Sequence, residues 1–194
     1  MKIILATQNL GKLKEFQQLS KGKNFEFIPM PEDLKEMPEE TGSTFKENAF
    51  IKAKYVSEYF EMPALADDSG LEVDALNGAP GIFSARYSSL RTDLSNSTKL
   101  LRDMKGVEKE NRTARFRCCL LGFHKGKTIC SEGTLEGEVA ESFKGDSGFG
   151  YDPIFEELSS KLTFAEMNNE LKDLCSHRGK ALKKIIPDLL EIFS

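Results

Sequence analysis

Three observations in the amino-acid sequence predict an α/β fold built on a mixed β-sheet. A short apolar run at the start leads directly into a helical repeat, which is a strand-to-helix crossover. Two later apolar runs flank His124, Lys125 and Gly126, a hairpin signal. Between and after them, apolar positions recur with the helical period. A crossover makes neighbouring strands parallel and a hairpin makes them antiparallel, so one sheet holding both is mixed.

Taken in order, Lys2 to Ala6 reads as a short buried strand, and Gly11 to Ser20, with Leu13, Phe16 and Leu19 on one face, as the helix after it. Phe25 to Ile28 supplies a second strand. Pro29 to Gly42, with three prolines and an acidic cluster, is a long exposed connection. Thr44 followed by Glu47 is a capping box, and the helix it starts carries Phe45, Ala49, Ala53, Val56 and Phe60 on one stripe. Ala64 to Asp67 and Gly70 to Val73 read as strand segments around a polar break. Leu94 to Met104 is a helix closed by Gly106. Thr113 to Phe123 and Lys127 to Cys130 form the hairpin. Asp146 to Pro153 is a glycine-rich loop before the strand-like Ile154 and Phe155. Thr163 with Glu166 opens another capped helix. Ser176 caps the last one, whose apolar residues Leu182, Ile185, Ile186, Leu189, Leu190 and Phe193 keep the helical period while Pro187 bends it.

The chain has 194 residues, and Leu, Ile, Val and Phe make up about a quarter of them, above the level of disordered chains. That suits one domain over residues 1–194, with room for two lobes. The longest uncharged stretch, Ala75 to Ala85, falls far short of the roughly 20 apolar residues that span a bilayer. The apolar run behind Lys2 breaks at Thr7, too early for a secretory signal, which places the protein in the cytoplasm. The cysteines, Cys118, Cys119, Cys130 and Cys175, have no metal-ligand spacing and read as reduced, mostly buried thiols. A net charge of −4 leaves no basic field for a nucleic-acid duplex, so a phosphate ligand has to be gripped locally.

Five groups of residues are candidates for chemistry. Thr7, Gln8, Asn9, Leu10, Gly11 and Lys12 lie where a strand becomes a helix, so free N–H groups and the positive helix end face whatever fills the loop. The spacing of Gly11 and Lys12 is not that of a Walker motif. The other reading is that Asn9 only caps a helix and Lys12 is solvated. Asp67 and Asp68 follow an apolar strand. Adjacent strand residues face opposite ways, so only one of them points into a given site, unless the pair simply closes a tight turn. Glu39 and Glu40 offer further oxygen ligands for a hard cation such as Mg²⁺, or else a solvated loop. Phe149, Gly150, Tyr151 and Asp152 combine aromatic rings with glycines that allow close approach; they form either a stacking surface for a planar base or a plug over the core. His177 and Arg178, with Lys172 upstream, open the last helix where cations oppose the helix dipole, a conflict relieved by a bound anion. His124 lies in the hairpin turn and reads as merely exposed.

These residues fall in six segments: ATQNLGK at 6–12, EETGSTFKENAFIKA at 39–53, ADDSGLEVDALNGAPGIFSARY at 66–87, GFGYDPIF at 148–155, TFAEM at 163–167 and SHRGKAL at 176–182. In their order along the chain they resemble the inosine triphosphate pyrophosphatase family, the non-canonical purine NTP pyrophosphatases. Two departures stand out: Gln8 where the family often has glycine, and Leu171 before Lys172 where glutamate is usual. The resemblance implies an elongated α/β fold with helices on both faces of the sheet, two lobes around a central nucleotide cleft, a homodimer, and Mg²⁺-dependent cleavage of ITP, dITP and XTP to the monophosphate and pyrophosphate. It further implies that Thr7 to Lys12 hold the triphosphate, that Asp68 is proton acceptor and metal ligand with Ser69 beside it, and that one of Glu39 and Glu40 joins the metal. Lys52 then touches phosphate, Phe149 to Asp152 line the base, and Lys172, His177 and Arg178 complete the pocket. A donor such as Arg178 matches the O6 acceptor of hypoxanthine and xanthine and leaves adenine mispaired. Two other readings stay open: a Maf-like pyrophosphatase with a different base preference, and a nucleotide-binding sensor without turnover.

Overall fold

A computed structural model describes every residue except Glu32, Lys35 and Ser194; of Asn169, Asp173, Leu174 and Ile192 only the backbone is described. The elements run β1 (Lys2–Leu5), α1 (Leu10–Leu19), β2 (Glu26–Ile28), α2 (Phe45–Phe60), β3 (Ala64–Val73), α3 (Asp93–Asp103), β4 (Thr113–His124), β5 (Lys127–Val139), β6 (Phe155–Glu157), α4 (Asn169–Cys175) and α5 (His177–Ile192). Six strands form one sheet in the order β2-β1-β3-β4-β5-β6. β1 pairs in parallel with β2, Ile3 opposite Phe27, and with β3, Leu5 opposite Leu65, whereas β5 and β6 are antiparallel. The mixed sheet expected from one crossover and one hairpin is therefore present. In the connection between residues 29 and 42, Glu32 and Lys35 lie outside the described residues, and the described ones carry neither helix nor strand.

Local chemistry accounts for most element ends. Asn9 has extended backbone angles and its side chain accepts from the Lys12 amide, starting α1. Thr44 accepts from the Glu47 amide at the start of α2; Glu47 reaches back to Ser43 rather than to Thr44 itself. Lys125 and Gly126 both have positive φ, 47° and 76°, as a tight turn matching the twist of β4 and β5 requires.

Three elements differ from the sequence reading. β5 runs on past Cys130 to Val139, because its inward positions Gly133, Leu135, Gly137 and Val139 are buried while Thr134 and Glu136 face out. Two of those inward residues are glycines, which carry no hydrophobic signal. β3 is one unbroken strand through Asp67, Asp68 and Ser69, so there is no polar break and no tight turn. Thr163 does receive the Glu166 carboxylate on its amide and hydroxyl, yet no helix starts there. Thr163 bridges to Glu156 and the Phe164 amide donates to the Phe155 carbonyl, and this extended pairing excludes a helical turn; α4 begins later, capped by Asn168.

The chain divides into two compact units. The first comprises Met1–Asp68, Cys118–Gly133 and Arg178–Ser194, and its core joins Ile3 and Leu5 of β1, Phe16 of α1, Phe27 of β2, Leu65 of β3 and Leu120 of β4 to Leu182, Ile185 and Leu189 of α5. The second comprises Ser69–Arg117 and Thr134–His177, with a core of Leu71 and Val73, Leu100 and Met104, Phe116, Val139, Ile154, Phe155 and Phe164. None of the four cysteines is in a disulfide. Cys118 and Cys119 are buried as expected, but Cys175 is half-buried and Cys130 exposed, since alternation along β5 turns it outward. Among the described residues no helix is long and apolar enough to cross a membrane.

Candidate active site

β3 carries Asp67 and Asp68 to the end of the first unit's opening segment, and strand alternation sends their side chains to different partners. The Asp67 carboxylate is fully buried and pairs with Lys12 at 2.7 Å and with Arg178 Nε at 3.2 Å, while the Cys118 thiol donates to its other oxygen at 3.1 Å. Burial alone would push this carboxyl up, but the two cations hold it far below the usual carboxylate range. Arg178 also donates from Nη1 to Glu15 at 3.1 Å. Its charge at the start of α5 is thus matched by two internal carboxylates, which corrects the expectation that the dipole conflict there requires a ligand anion.

Asp68 faces the other way. Its Oδ1 accepts from Lys52 at 2.9 Å, and the same ammonium donates to Glu40 at 2.8 Å and to the Asp67 carbonyl at 3.0 Å. Asp68 Oδ2 is buried and accepts no hydrogen bond among the described residues. Burial pushes the Asp68 carboxyl above its ordinary value despite the pull of Lys52 and Lys12. Burial would likewise depress Lys52, but Asp68 and Glu40 outweigh it and raise the ammonium. Of the two glutamates, Glu40 is the one in the cluster; Glu39 is exposed.

Two carboxylates converging on one positive charge are hard oxygen donors of the kind that Mg²⁺ takes, and the buried lone pairs of Asp68 Oδ2 are a further acceptor. Among the described residues no group of three or more His, Cys, Asp or Glu side chains could hold a metal ion. The residues fit a cation that keeps most of its ligands as water or phosphate, not a closed protein cage.

In the loop before α1, the Asn9 cap is present but Lys12 is not solvated. Thr7 accepts from the Asn9 amide and Asn9 caps the helix, yet Gln8, Asn9 and Leu10 are exposed and Lys12, held by Asp67, is not free in solvent. Ser69 follows Asp68 on β3 and is half-buried.

In the second unit, Asp152 is buried and accepts from Lys172 at 2.7 Å and from the Phe149 amide at 2.9 Å. Gly148 has φ +83°, and a Cβ there would lie 2.1 Å from Asp152 Oδ2, so only glycine permits this contact. The Lys172 ammonium lies 5.1 Å from the half-buried Phe149 ring centroid, and Gly150 donates to Asp93 at 2.8 Å. Tyr151 follows the plug reading of this loop: it is a core residue whose hydroxyl donates to the Ser84 carbonyl. His177 is buried and its ring stacks on Phe116, centroids 4.7 Å apart and 8° from parallel.

The sequence profile of the Ham1 family matches residues 3–188. The chain belongs to the Ham1 family. It is 47% identical over its whole length to a dITP/XTP pyrophosphatase of Prochlorococcus marinus, covering 99% of that protein, and 45% identical to one of Bacillus subtilis, with 94% of this chain and 93% of that protein aligned. Among solved structures, a HAM1 protein from Coxiella burnetii superposes with a TM-score of 0.87 at 42% identity, covering 98% of this chain and 99% of that one. These Ham1 structures share the mixed α/β architecture, as the resemblance implied. Of the Ham1 chain's acid cluster, the sequence singles out Asp67 only as the neighbour of Asp68 and gives it no role, and Glu15 stands in no motif, though its position three residues after Lys12 on α1 puts it on the same helix face.

Proposed function

We propose that this protein hydrolyses dITP, XTP and ITP at the α–β phosphoanhydride to the monophosphate and pyrophosphate, with Mg²⁺, and so clears deaminated purines from the cytoplasmic nucleotide pool. The single observation that carries the reading is Asp68: a buried carboxylate with one oxygen on Lys52, which bridges it to Glu40, and the other oxygen buried without a hydrogen-bond partner among the described residues. The names of the relatives, dITP/XTP pyrophosphatase, support the substrate class.

In this reading Asp68 and Glu40 are the metal-binding carboxylates. They would hold Mg²⁺, which would supply positive charge to offset that of the phosphates and of the leaving pyrophosphate. Asp68 orients a water at the innermost phosphorus and takes its proton. Lys52 exchanges a carboxylate for phosphate oxygen as the nucleotide enters, and Lys12, anchored on Asp67, joins the amides of Thr7 to Gly11 on the phosphates. Base recognition, as the family resemblance implies, falls to Phe149 and Lys172. Phe149 offers a ring face, and Lys172, held by Asp152, donates to the O6 of hypoxanthine or xanthine, where adenine would present another donor. Arg178, already engaged with Asp67 and Glu15, holds the acid cluster together. A homodimer, as the family resemblance implies, is part of the same proposal and is read from the mass in solution.

A substrate panel scored for pyrophosphate release with and without Mg²⁺ tests the reading. dITP and XTP should lead ATP and dTTP, and Asp68→Asn should keep nucleotide binding while losing about 10²- to 10⁴-fold in kcat. ATP or dTTP turning over fastest, or near-normal kcat in Asp68→Asn, overturns it.

A further inference from the structure

Cys119 in β4 and Cys130 in β5 bring their sulfurs within 3.4 Å of each other in the first unit. Their neighbour Cys118 faces away and donates to Asp67. Within the close pair the environments are opposite: Cys119 is buried and Cys130 exposed. Cys130 also lines a concavity of about 790 Å³ whose walls include Phe50, Leu121 and Ile129, with Lys46 among its charged residues. One sulfur of the pair is therefore open to a small reagent and the other is shielded behind it.

We propose that Cys119 and Cys130 form a dithiol site that takes a hydroperoxide as co-reactant and closes to an intrachain disulfide. A disulfide needs its sulfurs about 2 Å apart, so the pair closes by about 1.4 Å. The division of labour follows from the contact itself. The hydrogen bond from Cys119 brings the Cys130 thiol down to about 7, Lys46 helping against burial, while the same contact and burial push Cys119 far up. Cys130 is the nucleophile and Cys119 keeps its proton.

In the first step the Cys130 thiolate attacks one oxygen of the hydroperoxide. An S–O bond forms, the O–O bond breaks, and the departing oxygen takes a proton to leave as water or alcohol; Cys130 becomes a sulfenic acid. In the second step Cys119 Sγ bonds to Cys130 Sγ, the S–O bond breaks, and the Cys119 proton leaves with the hydroxide as water. Two thiols have lost two electrons and the O–O bond has gained them.

The test uses the full-length protein treated with equimolar hydrogen peroxide, blocked with an alkylating agent and mapped by mass spectrometry without reduction. The expected product is a Cys119–Cys130 linked peptide, reversed by dithiothreitol, with Cys118 and Cys175 recovered alkylated. Cys119→Ser should make dimedone-trapped Cys130 sulfenic acid accumulate several-fold over wild type, and Cys130→Ser should abolish both products while pyrophosphate release stays unchanged. Sulfinic Cys130 beside alkylatable Cys119, a disulfide linking two chains, or linkage that forms only after unfolding overturns the proposal.

Discussion

Asp67 and Asp68 show how much one peptide step along a strand decides. Asp67 is completely buried between Lys12 and Arg178, and such a cluster is held by the match of charges, since each ion alone would bear a large desolvation cost. Asp67→Asn keeps the shape but leaves two cations with one fewer carboxylate. It should destabilise the protein by about 3 to 5 kcal/mol, read as a lower urea midpoint. Gly148→Ala should act differently. The added methyl meets Asp152 Oδ2 in a backbone conformation that alanine resists, so Asp152 loses its hold on the Phe149 amide and Lys172. KM for dITP should rise with kcat largely kept; a KM equal to wild type would remove this loop from base binding. Both positions were legible as a motif, but the sequence alone left Asp67 looking redundant, because a buried counter-charge pattern exists only once α1 and α5 have packed.

Elements reveal where local signals compete. The Thr163–Glu166 pair satisfies the same donors as a helix cap, but pairing with β6 wins because Phe164 is buried against Phe155, their ring centroids 5.4 Å apart. The long β5 was illegible past Cys130 for the opposite reason: glycine at inward positions gives no apolar signal although the strand is there. α1, α2, α3 and the hairpin, by contrast, follow from caps, stripes and a turn that sequence states directly. At the end of β6, Glu157 accepts from the amides of Ser159 and Ser160 at 2.9 and 2.8 Å. Burial would raise its carboxyl, yet these two bonds bring it down to about 2 from an ordinary 4.5. A depressed carboxyl stabilises the fold above its unfolded value and loses that contribution as pH falls through the folded one. Glu157→Gln should therefore cost about 1 kcal/mol at neutral pH, and the gap to wild type should shrink between about pH 4.5 and pH 2 in acid unfolding curves. A gap that stays constant across that window assigns the effect to packing instead.

On the scale of the whole molecule, the chain passes from one unit to the other four times, within β3, β4 and β5 and at the start of α5. Neither unit is a contiguous piece, and composition, which changes little along the chain, gave no hint of the division. Ending the chain after His177 removes only the last segment of the first unit, but that segment brings Leu182, Ile185 and Leu189 to its core and Arg178 to Glu15 and Asp67. The truncated protein should lose its cooperative thermal transition; a Tm within a few degrees of full length would mean that this core stands without α5. The unbroken β3 carries one more implication. Because its two neighbouring acids serve opposite neighbours, inserting or deleting a single residue between Ala64 and Asp67 would turn each to the opposite face, so that one acid takes the other's post and the post it leaves falls to a residue without a carboxylate. Descendants of this sequence are free to lengthen the connection ahead of α2, but along those few positions they can substitute and never slip.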